Sequence, residues 1–220
     1  MEENKSKLIL GLDVSTTTIG CTLMQVDGNK REIIKATAVS PKINKNIKGL
    51  EALFLKKKIF ENEFLKQYVD FQIDEVIIEE PLARSNNVGT VLILARFNIL
   101  IAESVYDLLK IVPKFISVYD ARSNAFPELV GIRTINKKGE PVSLAKQKAS
   151  KPALFSAYSP DIDKKQIILE KVLELYPDLV FTYDKKGNLD KSNFDVTDSI
   201  TVLLGWLNQQ EKLKLIGGVN

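Results

Sequence analysis

The first 39 residues carry three short apolar segments separated by turn residues. KLILGLD (7–13) is a nearly unbroken apolar run, Ser15-Thr16-Thr17-Thr18 follows as a turn, and GCTLMQV (20–26) resumes the apolar pattern. Asp27-Gly28 is a hairpin signal, with REIIKATAV (31–39) behind it. The three runs predict a meander of three strands. From about Asn46 to Tyr68 the period changes. Leu50, Leu53, Phe54, Ile59, Phe60, Phe64 and Leu65 recur three and four residues apart, which predicts a helix with Lys56, Lys57 and Lys58 facing water.

Farther along, DEVIIEE (74–80), closed by Pro81, predicts a short buried strand, and VPKFISVY (112–119) a fifth. Between them, from Val88 to about Lys110, the chain predicts a helix. Its apolar run is the longest in the sequence but includes Arg96, Asn98 and Glu103. A buried amphipathic helix is therefore expected, not a membrane span. Asp120 to about Ile162 mixes Pro, Gly, Ser and Lys. It is read as a helical turn plus a long functional loop or insertion at about 131–162. Two helices close the chain, Asp163–Leu175 and Asp195 to about Lys214. The order β-β-β-α-β-α-β-α-α predicts one α/β domain over residues 1–220. Its mixed five-stranded sheet, a three-strand meander plus two parallel strands, would be flanked by helices.

Composition narrows the chemistry. The 220 residues contain no histidine and one cysteine, Cys21. That removes imidazole general bases, Ser-His-Asp and Cys-His nucleophiles, HExxH zinc sites and intrachain disulfides. A single cysteine fits a reducing compartment. The polar start MEENKSK, followed only by LILGL, gives no signal-peptide pattern, so a cytoplasmic protein is expected. An enzyme built from this chain must use carboxylates, hydroxyls, Lys, Arg and a hard metal.

The net charge is +3, but it is unevenly spread. Residues 131–165 hold eight Lys and Arg and three acids, so this stretch is +5 and the remainder −2. A basic segment on an acidic body suits a face that meets a polyanion. The same residues also fit a solvated lysine-rich loop.

Carboxylates fall at element ends. Asp13 ends the first strand, Glu79 and Glu80 the fourth, and Asp195 and Asp198 share one face at the start of the last helix. Taken singly, each has a structural reading: Asp195 and Asp198 as N-terminal helix acids, Glu79 or Glu80 as a strand-end ion-pair partner. Jointly they can converge if the first and fourth strands are neighbours. Three or four carboxylates without histidine suit Mg²⁺ or Mn²⁺.

The set LILGLDVSTTTIGCTLM, VIIEEPL and DVTDSITVLLGW resembles the RuvC-type Holliday-junction resolvases of the RNase H-like superfamily. The resemblance covers nearly the whole chain in element order, through short motifs. It implies an RNase H-like sheet and a catalytic tetrad of Asp13, Glu79, Asp195 and Asp198 holding two Mg²⁺ or Mn²⁺ ions. Glu79 is preferred over Glu80 because it directly follows Val76-Ile77-Ile78. DKKQI (163–167) is similar to the start of the family's penultimate helix, which implies a catalytic lysine at Lys164. Arg122, in YDAR, resembles the family's basic position after the fifth strand; a second one has no match, since Ser123, Asn124 and Ala125 follow. The aromatic wedge after the family's Glu is also missing, Leu82 being the nearest candidate, and the 131–161 segment is longer than cellular members need. Both departures suit a divergent viral or phage-like form.

The activity implied by the resemblance is metal-dependent phosphodiester hydrolysis that resolves four-way DNA junctions by paired nicks, in DNA recombination and repair. The ions would lie roughly 4 Å apart. Arg84, Arg122, Lys146, Lys148, Lys151, Lys164 and Lys165 would hold DNA phosphates. Symmetric cutting implies a homodimer, with surplus apolar residues of the Val88–Lys110 helix as one candidate interface and core packing as their other reading. No membrane or nucleotide partner is expected.

Three other readings stand beside this one. RNase H-like nucleases acting on RNA–DNA hybrids, flaps or forks share the motifs. An inactive DNA-binding module would show gaps in the tetrad. The opening GLDVSTTTIGCTLMQVDG also resembles the phosphate hairpin of actin-like kinases, but those need two copies of the core. An all-carboxylate site further predicts no imidazole-type pH dependence near neutrality.

Overall fold

The computed structural model describes residues 6–81, 87–136, 138–159 and 161–217. Strands β1 (Lys7–Val14), β2 (Ile19–Asp27) and β3 (Lys30–Val39) form the meander. Helix α1 (Gly49–Glu63), β4 (Glu75–Glu80), α2 (Val88–Leu109) and β5 (Lys114–Ser117) follow. The sheet order is β3-β2-β1-β4-β5, antiparallel through the meander and parallel across β1, β4 and β5. The mixed five-stranded sheet is thus the one expected.

Period-two alternation divides the sheet into two faces. Leu10, Leu12, Val76 and Ile78 join one core with Phe60, Phe64, Phe97, Ile101 and Val105, beneath α1 and α2. Ile9, Met24 and Ile77 join the other, with Ile168 and Val172 of α5 (Lys164–Leu175) and Ile200 and Leu203 of α6 (Ser192–Gly217). Between β5 and α5 lie α3 (Val118–Ala125), α4 (Leu144–Ala149) and a small antiparallel pair, β6 (Val130–Gly131) and β7 (Ala153–Leu154). The region read as largely irregular therefore has its own short elements.

Several boundaries differ from the sequence pattern. The hairpin centre is Gly28-Asn29, because Asp27 pairs with Lys30 and Gly28 takes φ +55°. Gly at the first central position suits a two-residue hairpin turn. The helix expected to reach Tyr68 stops at Glu63: Phe64 leaves helical geometry, and a 3₁₀ turn over Leu65–Tyr68 buries Leu65 and Tyr68. Leu50 and Phe54 are exposed. Of the three lysines expected in water, only Lys58 is exposed. Lys57 pairs with Glu61 and Glu103, and Lys56 Nζ donates to the Thr16 carbonyl at 2.5 Å. Helix α2 buries Phe97, Ile101 and Val105 but leaves Val88, Leu92, Ile93, Ile99 and Tyr106 exposed. It is long and apolar enough to cross a membrane by length and composition, yet its buried face is part of the sheet's core.

Candidate active site

Strand parity selects the acids. Leu12 pairs with Ile78 in the parallel β1–β4 ladder, so Asp13 and Glu79 are the next residues along adjacent strands. Odd-numbered positions Ile9 on β1 and Ile77 on β4 face α6, and Asp13 and Glu79 share that parity. Glu80 has the opposite parity and is exposed. The choice of Glu79 thus has a geometric basis that its neighbouring sequence alone did not supply.

Two glycines let α6 reach those strand ends. Gly20 pairs with Asp13 across β1–β2, and a Cβ there would collide with the carbonyl of Asp195. At Gly11 a Cβ would lie 2.5 Å from Leu203 Cγ and 2.8 Å from the Ser199 carbonyl oxygen. Helix backbone and sheet therefore touch where ordinary residues would hold them apart. A hydrogen bond of 2.7 Å between the buried hydroxyls of Thr22 and Ser199 fixes the register of the contact. With α6 so seated, Asp195 in its first turn and Asp198 in its second lie beside Asp13.

The electrostatics follow from this placement. Burial, reinforced by Glu79, Asp198 and Asp195, pushes Asp13 well above the usual carboxylate range, with Lys165 opposing. Glu79 is pushed up to about 7 by burial and then by Asp198, against Arg122 and Lys165. Asp195 is raised by burial, with Lys165 offsetting part of it. A carboxyl titrating near neutrality was not foreseen from the absence of histidine. Burial, with the neighbouring Asp198 behind it, is what moves Glu79 upward.

Two cations answer this charge. Arg122 Nη2 donates to Asp198 Oδ1 at 3.0 Å. Lys165 Nζ lies 3.6 Å from Asp195 Oδ1 and 3.8 Å from Asp198 Oδ2, and 5.9 Å from the centroid of the Phe194 ring. Lys164, the residue the family motif singled out, instead places its ammonium 5.9 Å from the Phe155 ring centroid. The two lysines leave the first turn of α5 in different directions, and Lys165 is the one at the acids. Sequence reasoning had placed Lys165 only among DNA-binding residues. The preceding Asp163, which caps α5 through Lys165 N and Gln166 N, marks the helix start but not which lysine turns inward.

Lys146, Lys148 and Lys151 are exposed on and just after α4. Arg84 and Leu82 lie outside the described residues. Beside Asp195, a groove of about 490 Å³ is lined by Thr17, Thr18, Ser40, Lys165, Lys191 and Phe194, among others. The β1–β2 turn at its edge is internally hydrogen-bonded: Ser15 Oγ accepts from Thr17 N and Thr18 N and donates to the Thr18 carbonyl at 2.7 Å. The Lys56 bond to Thr16 ties this turn to α1.

Among the described residues, no three carboxylate or cysteine side chains stand close enough to hold a metal ion as they are. The donor set nevertheless fits one. Asp13, Glu79 and Asp195 are raised by burial and then by neighbouring acids, and among the described residues Arg122 and Lys165 are the cations paired with this group, a deficit of positive charge that an oxygen-seeking divalent cation would fill.

No protein-family profile matches the sequence, and no curated protein is significantly similar to it. Solved structures do match. RuvC of Thermus thermophilus is similar over 93% of this chain and 96% of its own, at 10% identity and a TM-score of 0.52. The same organism's RuvC in complex with a Holliday junction substrate matches over 94% and 96%, at 8% identity and a TM-score of 0.57. An Aquifex aeolicus Ppx/GppA protein covers 92% and 90%, but its TM-score of 0.40 carries no weight for function. The chain has the RNase H-like fold, the mixed sheet flanked by helices that RuvC shares.

Proposed function

We propose that the chain is a metal-dependent, structure-specific DNA endonuclease that resolves four-way junctions. The observation that carries this reading is that Asp13 and Glu79, at the ends of two neighbouring parallel strands, lie on the sheet face that packs against α6, whose Asp195 and Asp198 are paired with Lys165 and, for Asp198, Arg122. The matched Thermus thermophilus protein bound to a Holliday junction supports branched DNA as the substrate.

The four acids would hold Mg²⁺ or Mn²⁺, two ions per site. When bound, such ions supply the positive charge that activates water and stabilises the departing 3′ oxygen in an in-line displacement. The chain's own residues do the rest. Lys165, at the acids, faces the phosphate that undergoes attack and offsets its developing charge, the role the family motif assigned to Lys164. The groove beside Asp195 takes the adjoining nucleotide, with Thr17 and Thr18 offering hydroxyls and Phe194 an aromatic face. Lys146, Lys148, Lys151 and Lys164 hold more distant phosphates through salt-sensitive contacts, and Arg84 is a further candidate for such a contact.

Paired symmetric nicks require two active sites related by a twofold axis. The exposed apolar residues Leu92, Ile93, Ile99 and Tyr106 of α2 supply a surface for such a homodimer. The test is a panel of labelled substrates, a four-way junction, a flap and an RNA–DNA hybrid, each in Mg²⁺ or EDTA. Mg²⁺-dependent cutting of the junction is the expected result. Cutting of the flap or the hybrid alone would leave an RNase H-like nuclease with a different substrate.

A further inference from the structure

Asp198 is only 5% exposed, and both its oxygens face protein cations: Oδ1 meets Arg122 and Oδ2 meets Lys165. A buried carboxylate needs such partners, since leaving it unpaired is strongly destabilising. Neither partner is bound as a permanent clamp would be. Arg122 uses one terminal nitrogen, while its Nε is buried without any hydrogen-bond partner. A guanidinium fixed for structural purposes would more often present two parallel N–H groups to the carboxylate. Lys165 is more tenuous still. Its side chain is 52% exposed, and its ammonium straddles Asp195 and Asp198 at 3.6 and 3.8 Å. It spans two carboxylates as a shared cation would.

We propose that Arg122 and Lys165 are exchangeable counter-cations of the acidic centre, which a divalent ion displaces and so releases toward the DNA backbone. The proposal rests on the metal-dependent nuclease reading. The two side chains bring two positive charges to the acids of α6. A divalent ion entering the centre competes with them for the oxygens of Asp198 and Asp195. Once it is bound, the guanidinium and ammonium no longer have carboxylates to satisfy, and phosphate oxygens are their natural partners. Metal and DNA would then bind with positive coupling, and by linkage each would strengthen the other. The same arrangement keeps the acids in place before the metal arrives.

The proposal fixes the sign of a measurement on the DNA-free protein. Mn²⁺ binding is followed by loss of the free-ion electron paramagnetic resonance signal, with folding checked by circular dichroism. If the cations compete with the metal, Arg122→Gln and Lys165→Gln bind Mn²⁺ more tightly than wild type, by roughly threefold or more. Arg122→Lys, which keeps the charge, stays near wild type. Should Arg122→Gln fail to fold, Lys165→Gln carries the test, because its side chain is half exposed. Affinity that is unchanged or weaker in a folded neutral variant overturns the exchange while leaving the nuclease reading intact. Absence of Mn²⁺ binding to the wild type, together with absence of Mg²⁺-dependent cleavage, would remove the nuclease reading itself. As a second readout, Ca²⁺ should tighten binding of a four-way junction by wild type, and by less for Lys165→Gln. Equal tightening in both proteins would contradict the exchange.

Discussion

Gly20 lies directly beneath the carbonyl of Asp195, so close that no Cβ fits between them. This contact sets the height of α6 above the sheet, and with it the distance from Asp195 and Asp198 to Asp13. Gly20→Ala should therefore lift the start of α6. A loss of about 2 kcal/mol of stability in chemical denaturation is expected, and cleavage should be lost even under conditions where the variant remains folded. A variant of near-normal stability and activity would show that the helix does not need this contact.

Strand parity separates two adjacent glutamates. Glu79→Gln should abolish cleavage while keeping the fold, because it removes one of the converging acids. Glu80→Gln should stay within about threefold of wild type, as expected for an exposed residue away from the site. Comparable losses from both would mean that β4 delivers its acids differently.

Lys164 and Lys165 can be distinguished in the same way. With its ammonium at Asp195 and Asp198, Lys165 should affect the chemical step: Lys165→Gln should lower the single-turnover rate by about 100-fold. Lys164→Gln should chiefly reduce the salt-dependent part of DNA binding and leave that rate within about threefold. The reverse ranking would restore the lysine that the motif alone suggested.

Raised carboxyl pKa values make the metal-free protein sensitive to pH. Glu79 sits at about 7 in the folded chain against an ordinary 4.5, and Asp13 is shifted in the same direction. An acid whose folded pKa is raised contributes stability in its protonated form. That stability is complete below the ordinary carboxylate value and is lost as pH rises through the folded value. In EDTA, Tm should fall between about pH 5 and pH 8, by an amount on the order of 2–3 kcal/mol in stability. Mg²⁺ should restore most of it, with the larger effect at the higher pH. Glu79→Gln should flatten the EDTA profile. A Tm that rises over this range would show that the acids are not crowded.

Much of the fold was legible because its signals are local. The apolar runs of β1, β2 and β4 and the turn residues between them needed no tertiary information. The candidate acids were legible for a related reason: an acid directly after LILGL or VIIE must leave the core at a strand end. What the pattern could not supply depends on direction and contact. Lys56 and Lys57 were read as solvated from their charge, but one holds the Thr16 carbonyl and the other bridges two glutamates. Which of Lys164 and Lys165 turns inward depends on how α5 packs, and the Arg122–Asp198 pair joins residues 76 positions apart. The helical period of α2 identified an apolar helix but did not show that much of its apolar surface remains uncovered.

The central claim is tested most directly by mapping nicks on a four-way junction labelled on each strand in turn, with wild type and Asp13→Asn side by side. Wild type should give Mg²⁺-dependent nicks at symmetric positions on two opposing strands, and Asp13→Asn should bind the junction without cutting it. Cleavage that persists in Asp13→Asn, or a junction left intact by wild-type protein that binds it in Mg²⁺, would contradict the proposed activity.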